Sequence, residues 1–274
     1  MAPLACSVRD CGAPLERDPQ QWICPRGHTH DISRHGYVNL LQPQDRRSLE
    51  AGDPRDAVEA RFRLLEQGLG GLAIAHVADA AQARLGPERT GVVAEMGCGT
   101  GHLLRALAGA TRITGVGIDL STRAIELAAR QASTVQWVVA NADRRLPLVD
   151  GTVSVLLSVH ARRNPAEAER VLAPGGHLIV AIPAEDDLIE LREAVQGDGT
   201  TRDRVGALIA EHAPHFTDGT RTTVRERRRL DGDQLRDLLA ATYRGARHAV
   251  AARVAALDRL DVTFASEVVV FRRR

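Results

Sequence analysis

The residues with the clearest chemical potential lie in segment 92–101, whose sequence is VVAEMGCGTG. Gly97, Gly99 and Gly101 alternate directly behind an apolar run that predicts a buried strand, and a helical pattern follows them. Glycine is needed where the backbone turns sharply towards a ligand, and the N-terminus of a helix presents free N–H groups there. Asp119 closes the next apolar strand, where a carboxylate can bind a ribose diol. This layout predicts a site for a nucleoside cofactor.

Three features favour S-adenosylmethionine as that cofactor. Glu95 stands just before the first glycine, and a carboxylate there suits a cationic ligand but repels a pyrophosphate. Asn141, Ala142 and Asp143 end a third strand, at the position where methyltransferases meet adenine. The segment 169–183, ERVLAPGGHLIVAIP, resembles the helix–PGG–strand unit that follows the cofactor strands in that superfamily. The alternative is a dinucleotide-binding Rossmann domain in which Glu95 stands by chance.

A second constellation lies near the N-terminus, where three cysteines and one histidine form two close pairs. Cys6 and Cys11 make the first pair, and Cys24 and His28 make the second. Thiolates and an imidazole in two pairs separated by a short hairpin suit one tetrahedral zinc ion. His30 is a competing ligand, and the alternative is a set of unrelated residues in a flexible arm. A metal is favoured because about forty residues build only a small core.

The elements that must position these residues alternate between strands and helices from residue 88 onward. The order predicts a doubly wound parallel sheet with helices on both faces, which is an α/β fold. The C-terminal third predicts two helices, DLIELREAV and GDQLRDLLAATY, and two strands, TTVRERRRL and TFASEVVVFRRR. Ahead of the sheet, we expect a short strand at Val38–Leu41, a helix starting at Asp53-Pro54 and a helix at Leu72–Leu85.

Composition narrows the class of protein. The chain has 274 residues, 44% of them hydrophobic, which is enough for one large domain and a small one. A formal net charge of +1 gives no overall attraction to nucleic acid. No apolar run reaches the length of a membrane span, and the first residues lack a signal pattern. We therefore expect a cytoplasmic protein with a dedicated thiol site.

The chain resembles the bacterial 23S rRNA guanine-N1 methyltransferases, and in particular the tylosin-resistance branch found in macrolide producers. The resemblance covers nearly the whole length. Its most specific part is the Cys/His quartet followed by the run GYVNLL at residues 36–41. The other matching segments are Gly52-Asp53, Ala60-Arg61, Glu95–Gly101, Arg163-Asn164-Pro165 and His212–Phe216.

This resemblance implies a class I S-adenosylmethionine-dependent methyltransferase with a small N-terminal zinc ribbon that recognises RNA. It implies a homodimer whose substrate is a guanine in a hairpin of 23S rRNA. Cys6, Cys11, Cys24 and His28 fall on the family's zinc positions, whereas His102, Leu103 and Asp187 fall on its cofactor contacts. A family tyrosine that contacts the cofactor is absent, because Gly68-Leu69-Gly70 stands there.

The acceptor side departs further from the family, which tends to show an aromatic residue and then Ala-Pro. Here the sequence is His160-Ala161-Arg162. Guanine N1 carries a proton in neutral solution, so its methylation needs that proton removed, and a base with a pKa near the working pH is ideal. His160, at the end of the fourth strand, is the candidate base, and the alternative is that it only lines the pocket. Ser158 on that strand and Leu120 beside Asp119 complete the predicted cofactor set.

RNA binding requires cations directed at phosphates. The candidate arginine patches are Arg46-Arg47, Arg144-Arg145, Arg162-Arg163, Arg221–Arg229 and Arg272–Arg274. Each patch alone is more often an ordinary solvated surface. Antibiotic self-resistance is a plausible role, and two alternatives stay open. One is a methyltransferase acting on a small natural product, and the other is a non-catalytic zinc-ribbon protein that binds RNA.

Three parts are predicted along the chain. Residues 1–45 form the zinc-binding RNA-recognition domain, residues 46–87 form a helical linker, and residues 88–274 form the methyltransferase domain.

Overall fold

The computed structural model describes residues 2–43, 52–196, 204–217, 219–242 and 257–274. The N-terminal part holds a small antiparallel sheet of three strands, which are β1 (Glu16–Arg17), β2 (Gln21–Ile23) and β3 (Thr29–Asp31). Trp22 on β2 is opposite His30 on β3, and both side chains are buried. The predicted ribbon is therefore present.

A fourth short strand, β4 (Val38–Asn39), leaves the ribbon and joins a sheet of nine strands. The other strands of that sheet are β5 (Thr90–Met96), β6 (Arg112–Asp119), β7 (Gln136–Val139), β8 (Val153–Val159), β9 (Leu172–Pro183), β10 (Phe216–Thr217), β11 (Arg221–Asp231) and β12 (Arg259–Arg273). The order is β10-β12-β9-β8-β5-β6-β7-β4, and β11 also pairs with β12. Strands β4 to β9 run parallel, whereas β12 is antiparallel to β9.

Eight helices are described in these parts of the chain. They are α1 (Arg55–Glu66), α2 (Gly71–Gln82), α3 (His102–Ala110), α4 (Thr122–Gln131), α5 (Pro165–Val171), α6 (Ile189–Gln196), α7 (Val205–His212) and α8 (Gly232–Thr242). The alternation of strand and helix from β5 to β9 confirms the predicted α/β doubly wound fold. Pattern reasoning did not find α7 and β10, because both are short and their apolar residues show no clear period.

The ribbon packs directly on the large sheet. Leu4 and Trp22 belong to the same buried cluster as Met96 on β5 and Ile118 on β6. The backbone of Leu4 also pairs with that of Leu148, and Leu40 N donates to Val139 O at 2.9 Å. The ribbon therefore covers part of one face of the sheet and continues its core.

A second buried cluster lies on the other face, where side chains from α2, α3 and α4 meet the sheet. A third cluster joins α1 to α8. The segment predicted as a helical linker thus contains two helices that are packed into the molecule. The predicted boundary between residues 45 and 46, and the patch Arg46-Arg47, lie outside the described residues. No helix in the described ranges combines the length and the apolar character needed to cross a membrane.

Candidate active site and zinc centre

The four predicted zinc ligands converge at one end of the ribbon. Their ligand atoms all lie within 4.8 Å of one another. Cys11 Sγ and Cys24 Sγ are 3.8 Å apart, and His28 Nδ1 is 3.5 Å from Cys6 Sγ and 3.4 Å from Cys24 Sγ. A zinc tetrahedron with Zn–S near 2.3 Å and Zn–N near 2.0 Å requires edges of about 3.8 Å and 3.5 Å. The donor set fits one zinc ion, which these four residues would hold.

His30 is not a member of this tetrahedron, although it lies beside it. Its Nε2 atom is 3.6 Å from Cys6 Sγ, and the ring is buried. Burial and the neighbouring His28 lower the pKa of His30, so the ring is neutral at neutral pH. A neutral imidazole can donate an N–H to a thiolate ligand, and such outer contacts orient metal ligands. His30 therefore supports the site rather than completing it.

The three glycines of the loop after β5 all have positive φ angles, of 68° at Gly97, 52° at Gly99 and 80° at Gly101. A Cβ on Gly97 would lie 2.5 Å from Ala161 Cβ, and one on Gly101 would lie 2.4 Å from Trp137. A Cβ on Gly99 would meet no atom within 4 Å. The first and third glycines therefore let the loop pack against its neighbours, whereas Gly99 borders open space.

That open space is a cleft of about 1160 Å³ along the carboxyl ends of the sheet strands. One side, which we call the glycine-loop side, is formed by the loops after β5, β6 and β7. The other, the His160 side, is formed at the ends of β8, β9 and β12. Ligands of open α/β sheets bind at such an edge, where the strand order reverses. Here the reversal occurs at β5, between the two sides.

Glu95 and Asp119 lie together on the glycine-loop side. Glu95 is buried, and its Oε2 atom has no hydrogen-bond partner among the described residues. Burial and the nearby Asp119 raise the pKa of Glu95 well above its ordinary value. Asp119 accepts hydrogen bonds from Gly99 N and Ser121 N, both at 2.8 Å, yet burial still raises its pKa. A bound cation would supply the partner that the Glu95 carboxylate lacks.

The remaining predicted residues of this side are placed by the next loops. Asn141, Ala142 and Asp143 follow β7 and line the cleft, and Asn141 Oδ1 accepts a hydrogen bond from Asp143 N at 3.0 Å. Leu103 and Leu120 also line it. Apolar and amide groups at this end suit a purine ring, which needs both packing and hydrogen-bond partners.

His102 lies at the start of α3 and also borders the cleft. Its Nε2 atom is 2.9 Å from Glu66 on α1, and its Nδ1 atom is 3.0 Å from Thr100 Oγ1. Burial and the nearby Arg105 lower its pKa. Glu66 also accepts from Arg105 at 2.7 Å, so α1 is held over the glycine loop by polar contacts.

The His160 side collects residues from distant parts of the chain. His160 has a φ angle of 50°, and its Nε2 atom is 2.9 Å from Ser266 Oγ on β12. Burial of the ring and the nearby Arg61 lower the pKa of His160 to about 4. Asp187 and Phe264 line the same side.

Phe264, Asp53 and Arg61 are cleft residues that sequence analysis did not assign to the site. Arg61 Nη1 donates to Asp53 Oδ2 at 2.8 Å, and Arg61 Nη2 donates to Ala241 O at 2.8 Å. The matching segments of the resemblance include Asp53 and Arg61, and that was the only available signal. Phe264 had none, because it lies inside an ordinary strand pattern.

Comparisons with known proteins agree with this architecture. Residues 93–176 match the family model described as methyltransferase domain, and residues 5–49 match the zinc-ribbon model described as RlmA, N-terminal. The 23S rRNA (guanine(748)-N(1))-methyltransferase of Streptomyces fradiae is 38% identical over 84% of this chain and 81% of its own. The chain belongs to the 23S rRNA (guanine-N1)-methyltransferase family.

Two further comparisons place this methyltransferase among its relatives. A provisionally named 23S rRNA (guanine-N1)-methyltransferase of Micromonospora griseorubida is 37% identical over 69% of this chain and 68% of its own. The solved structure of the YcgJ protein from Bacillus subtilis gives a TM-score of 0.51 at 13% identity, covering 73% of this chain and 99% of that one. This second likeness supports the class I methyltransferase fold alone.

The methyltransferase uses S-adenosylmethionine and one zinc ion, and its residues fit both groups. The partnerless Oε2 of Glu95 suits a cationic cofactor, and the open space beside Gly99 leaves room for the cofactor to approach the backbone. Asp119 and the Asn141–Asp143 loop would hold the nucleoside.

Two residues of the predicted cofactor set are placed differently. Gly101 and Ser158 are not among the described residues that line the cleft. Gly101 instead lies against the Trp137 ring, and Ser158 is fully buried within β8.

Several of the candidate arginines form ion pairs within the protein. Arg162 pairs with Asp143 at 3.0 Å, Arg221 with Glu267 at 2.9 Å, and Arg225 with Asp186 at 2.7 Å. Their charge is partly balanced before any RNA arrives. The patches remain predictions for the RNA-binding surface.

Proposed function

We propose that this protein transfers the methyl group of S-adenosylmethionine to N1 of a guanine in 23S rRNA. The observation that carries the proposal is the 38% identity to a relative named for that reaction, over most of both chains. The cleft supports this proposal, because the glycine-loop side would hold the cofactor. The His160 side, which is partly polar, would then be left for a nucleobase.

When bound, the cofactor supplies an electrophilic methyl group on a positively charged sulfur. The protein orients the two reactants, which removes much of the entropic barrier. Glu95 and Asp119 are proposed to bind the cofactor, together with Gly97, Gly99, His102 and Leu103. Leu120, the Asn141–Asp143 loop and Asp187 complete the proposed set. We propose that Gly101 and Ser158 support this site without lining the cleft.

The proposal also covers how the RNA binds, the oligomeric state and the biological role. The zinc ribbon would dock a hairpin of 23S rRNA, and the acceptor nucleotide would leave its helix to enter the cleft, since N1 is buried in base pairs. A homodimer would present two such surfaces, and methylation near the exit tunnel would reduce macrolide binding. The reaction would take place in the cytoplasm, where ribosomes are assembled.

The deciding experiment incubates the protein with methyl-labelled S-adenosylmethionine and unmodified 23S rRNA. We expect label at one guanine, detected as N1-methylguanine by mass spectrometry. A reverse-transcription stop should mark the position, because an N1 methyl group blocks base pairing. The first position to examine is the guanine 748 of the relative's name.

Parallel reactions separate the alternatives. Label found only in small metabolites would support a natural-product methyltransferase. Retention of RNA without any label would support a binding protein that lacks activity. Light scattering would test the dimer, and growth of a macrolide-sensitive strain that expresses the gene would test resistance.

A further inference from the structure

The side chains of His160 and Asp187 lie on the His160 side and form hydrogen bonds with consecutive residues of β12. His160 Nε2 lies 2.9 Å from Ser266 Oγ, and Asp187 Oδ1 accepts a hydrogen bond from Ala265 N at 2.9 Å. The loops after β8 and β9 therefore converge on one stretch of strand. Phe264, the residue before Ala265, lines the same side of the cleft.

The position of these residues relative to the cofactor follows from strand order. Asp119 and the Asn141–Asp143 loop follow β6 and β7, so the nucleoside lies on that side of β5. Strands β8 and β9 lie on the other side of β5. The sulfonium end of an extended cofactor is therefore directed towards the residues that follow β8 and β9, which include Asp187.

Asp187 has the chemistry that a guanine edge requires. The neighbouring N1–H and N2–H groups of guanine are both donors, and a carboxylate is an acceptor with two oxygens. Oδ1 is fixed by Ala265 N, and Oδ2 has no hydrogen-bond partner within the ranges that the structure describes. Phe264 adds an aromatic surface, and aromatic side chains commonly stack on unpaired RNA bases.

We propose that the Asp187 carboxylate accepts the N1 proton of the acceptor guanine while the base stacks on Phe264. This inference rests on the proposed function, and it assigns Asp187 the role of the base for that reaction in place of a contact to the cofactor. The N1 proton passes to Asp187 and then to water, and the electron pair that it leaves on N1 forms the new bond to the methyl carbon. The sulfur–carbon bond breaks at the same time, and its electrons stay on sulfur. The sulfur becomes neutral, and the released proton carries the positive charge away.

The surroundings of Asp187 favour this role over His160. Burial raises the pKa of Asp187 to about 6, which makes it a stronger base than an ordinary carboxylate. The pKa of His160 is lowered to about 4, so its ring is a weaker base than usual. Three charged groups also act on Asp187, namely Arg192, Arg204 and Asp186. The other charged groups and histidines that line the cleft are Asp53, Arg61, Glu95, His102, Asp119, Asp143, His160 and Arg162.

The test measures single-turnover methyl transfer to 23S rRNA between pH 5 and 8 at saturating S-adenosylmethionine. In the wild type, we expect the rate to rise tenfold per pH unit up to about pH 6 and then level off, because the base must be ionised. Asp187→Asn should lower the rate at pH 7 by about 100-fold. Its rate should instead climb with pH, because only guanine that has already lost its N1 proton can react.

Three further variants complete the design. Asp187→Glu keeps a base and should retain the inflection at a reduced rate. Glu185→Gln removes an exposed charge two residues away, outside the main cleft, and should match the wild type. His160→Phe should keep the inflection near pH 6. Calorimetry of cofactor binding and thermal unfolding of each variant should show a bound cofactor and a folded protein.

The outcomes are distinct. A flat wild-type profile from pH 5 to 8, or an Asp187→Asn rate within threefold of wild type, overturns the inference and leaves the proposed function intact. It is also overturned if Asp187→Asn loses cofactor affinity but recovers its full rate at saturation, since Asp187 would then be a cofactor contact only. Loss of the inflection in His160→Phe would assign the base to His160. A wild type that forms no N1-methylguanine would remove both proposals.

Discussion

The two sides of the cleft are built in different ways. On the glycine-loop side, the Asp119 carboxylate is bound directly to loop backbone, because it accepts hydrogen bonds from Gly99 N and Ser121 N. On the His160 side, Asp187 and Phe264 come from segments far apart in sequence and meet only through β12. Successive strand–loop units therefore form the donor site, whereas segments far apart in the sequence form the acceptor site.

The zinc ribbon belongs to this comparison because its N-terminal residues and β4 are hydrogen-bonded to segments next to the glycine-loop side. Ala5 N donates to Pro147 O, and Val149 N donates to Pro3 O, so the N-terminal residues hold the segment 147–149 beyond the Asn141–Asp143 loop. Strand β4 also pairs with β7, directly before that loop. Loss of the ribbon should therefore damage the glycine-loop side more than the His160 side.

Zinc removal should produce the largest effect. Metal binding contributes on the order of 10 kcal/mol to the folding of small zinc modules. We expect a strong chelator to unfold the ribbon and to weaken binding of S-adenosylhomocysteine at least tenfold, because the adenine end loses its support. Calorimetry measures the affinity, and hydrogen exchange should show faster exchange at residues 136–149 than at residues 178–183.

Re-addition of zinc is the control for this experiment and should restore both the affinity and the exchange protection. Unchanged cofactor affinity in fully zinc-free protein would show that the ribbon and the glycine-loop side are independent.

Gly101 provides the second largest expected effect. A Cβ at this position would meet the Trp137 ring at 2.4 Å, and the φ angle of 80° is strained for alanine. Overpacking and backbone strain together cost about 3 kcal/mol. Gly101→Ala should lower the free energy of urea-induced unfolding by that amount and reduce cofactor affinity by displacing the loop.

Gly109 is the matched control, because it is exposed within α3 and a Cβ there would meet nothing within 4 Å. Gly109→Ala should stabilise the protein by about 0.5–1 kcal/mol through helix propensity. Equal stability changes in the two variants would mean that the Trp137 contact does not hold the loop.

The same difference between the two sides explains what the sequence could predict. The glycine loop, Asp119, the zinc quartet and the alternating strands and helices are local patterns with fixed spacings, and they were predicted. The orientation of Gly101 towards Trp137 depends on a strand two positions away in the sheet. The low pKa of His160 depends on burial and on Arg61, and the position of Phe264 depends on the register of β12. Such relations between distant segments have no local signature.

Substitution of Glu95 should have the smallest effect on stability. It should also separate most clearly the effect on stability from the effect on cofactor binding. Its pKa is raised in the folded protein by burial and by Asp119. A group with a raised pKa makes a contribution to folding stability that is fully present below its pKa in the unfolded chain. That contribution is lost as the pH rises through its pKa in the folded protein. Without cofactor, Glu95→Gln should therefore be more stable than wild type at pH 8.

The same substitution should weaken cofactor binding about tenfold or more, because the charged partner of the cation is gone. Glu88→Gln, which removes an exposed charge ahead of β5, should change neither quantity. Thermal unfolding between pH 5 and 8 and calorimetry with S-adenosylmethionine measure the two effects. A Glu95→Gln variant that binds the cofactor as tightly as wild type would place the buried carboxylate in a structural role. The glycine-loop side would then recognise its ligand through backbone groups and Asp119 alone.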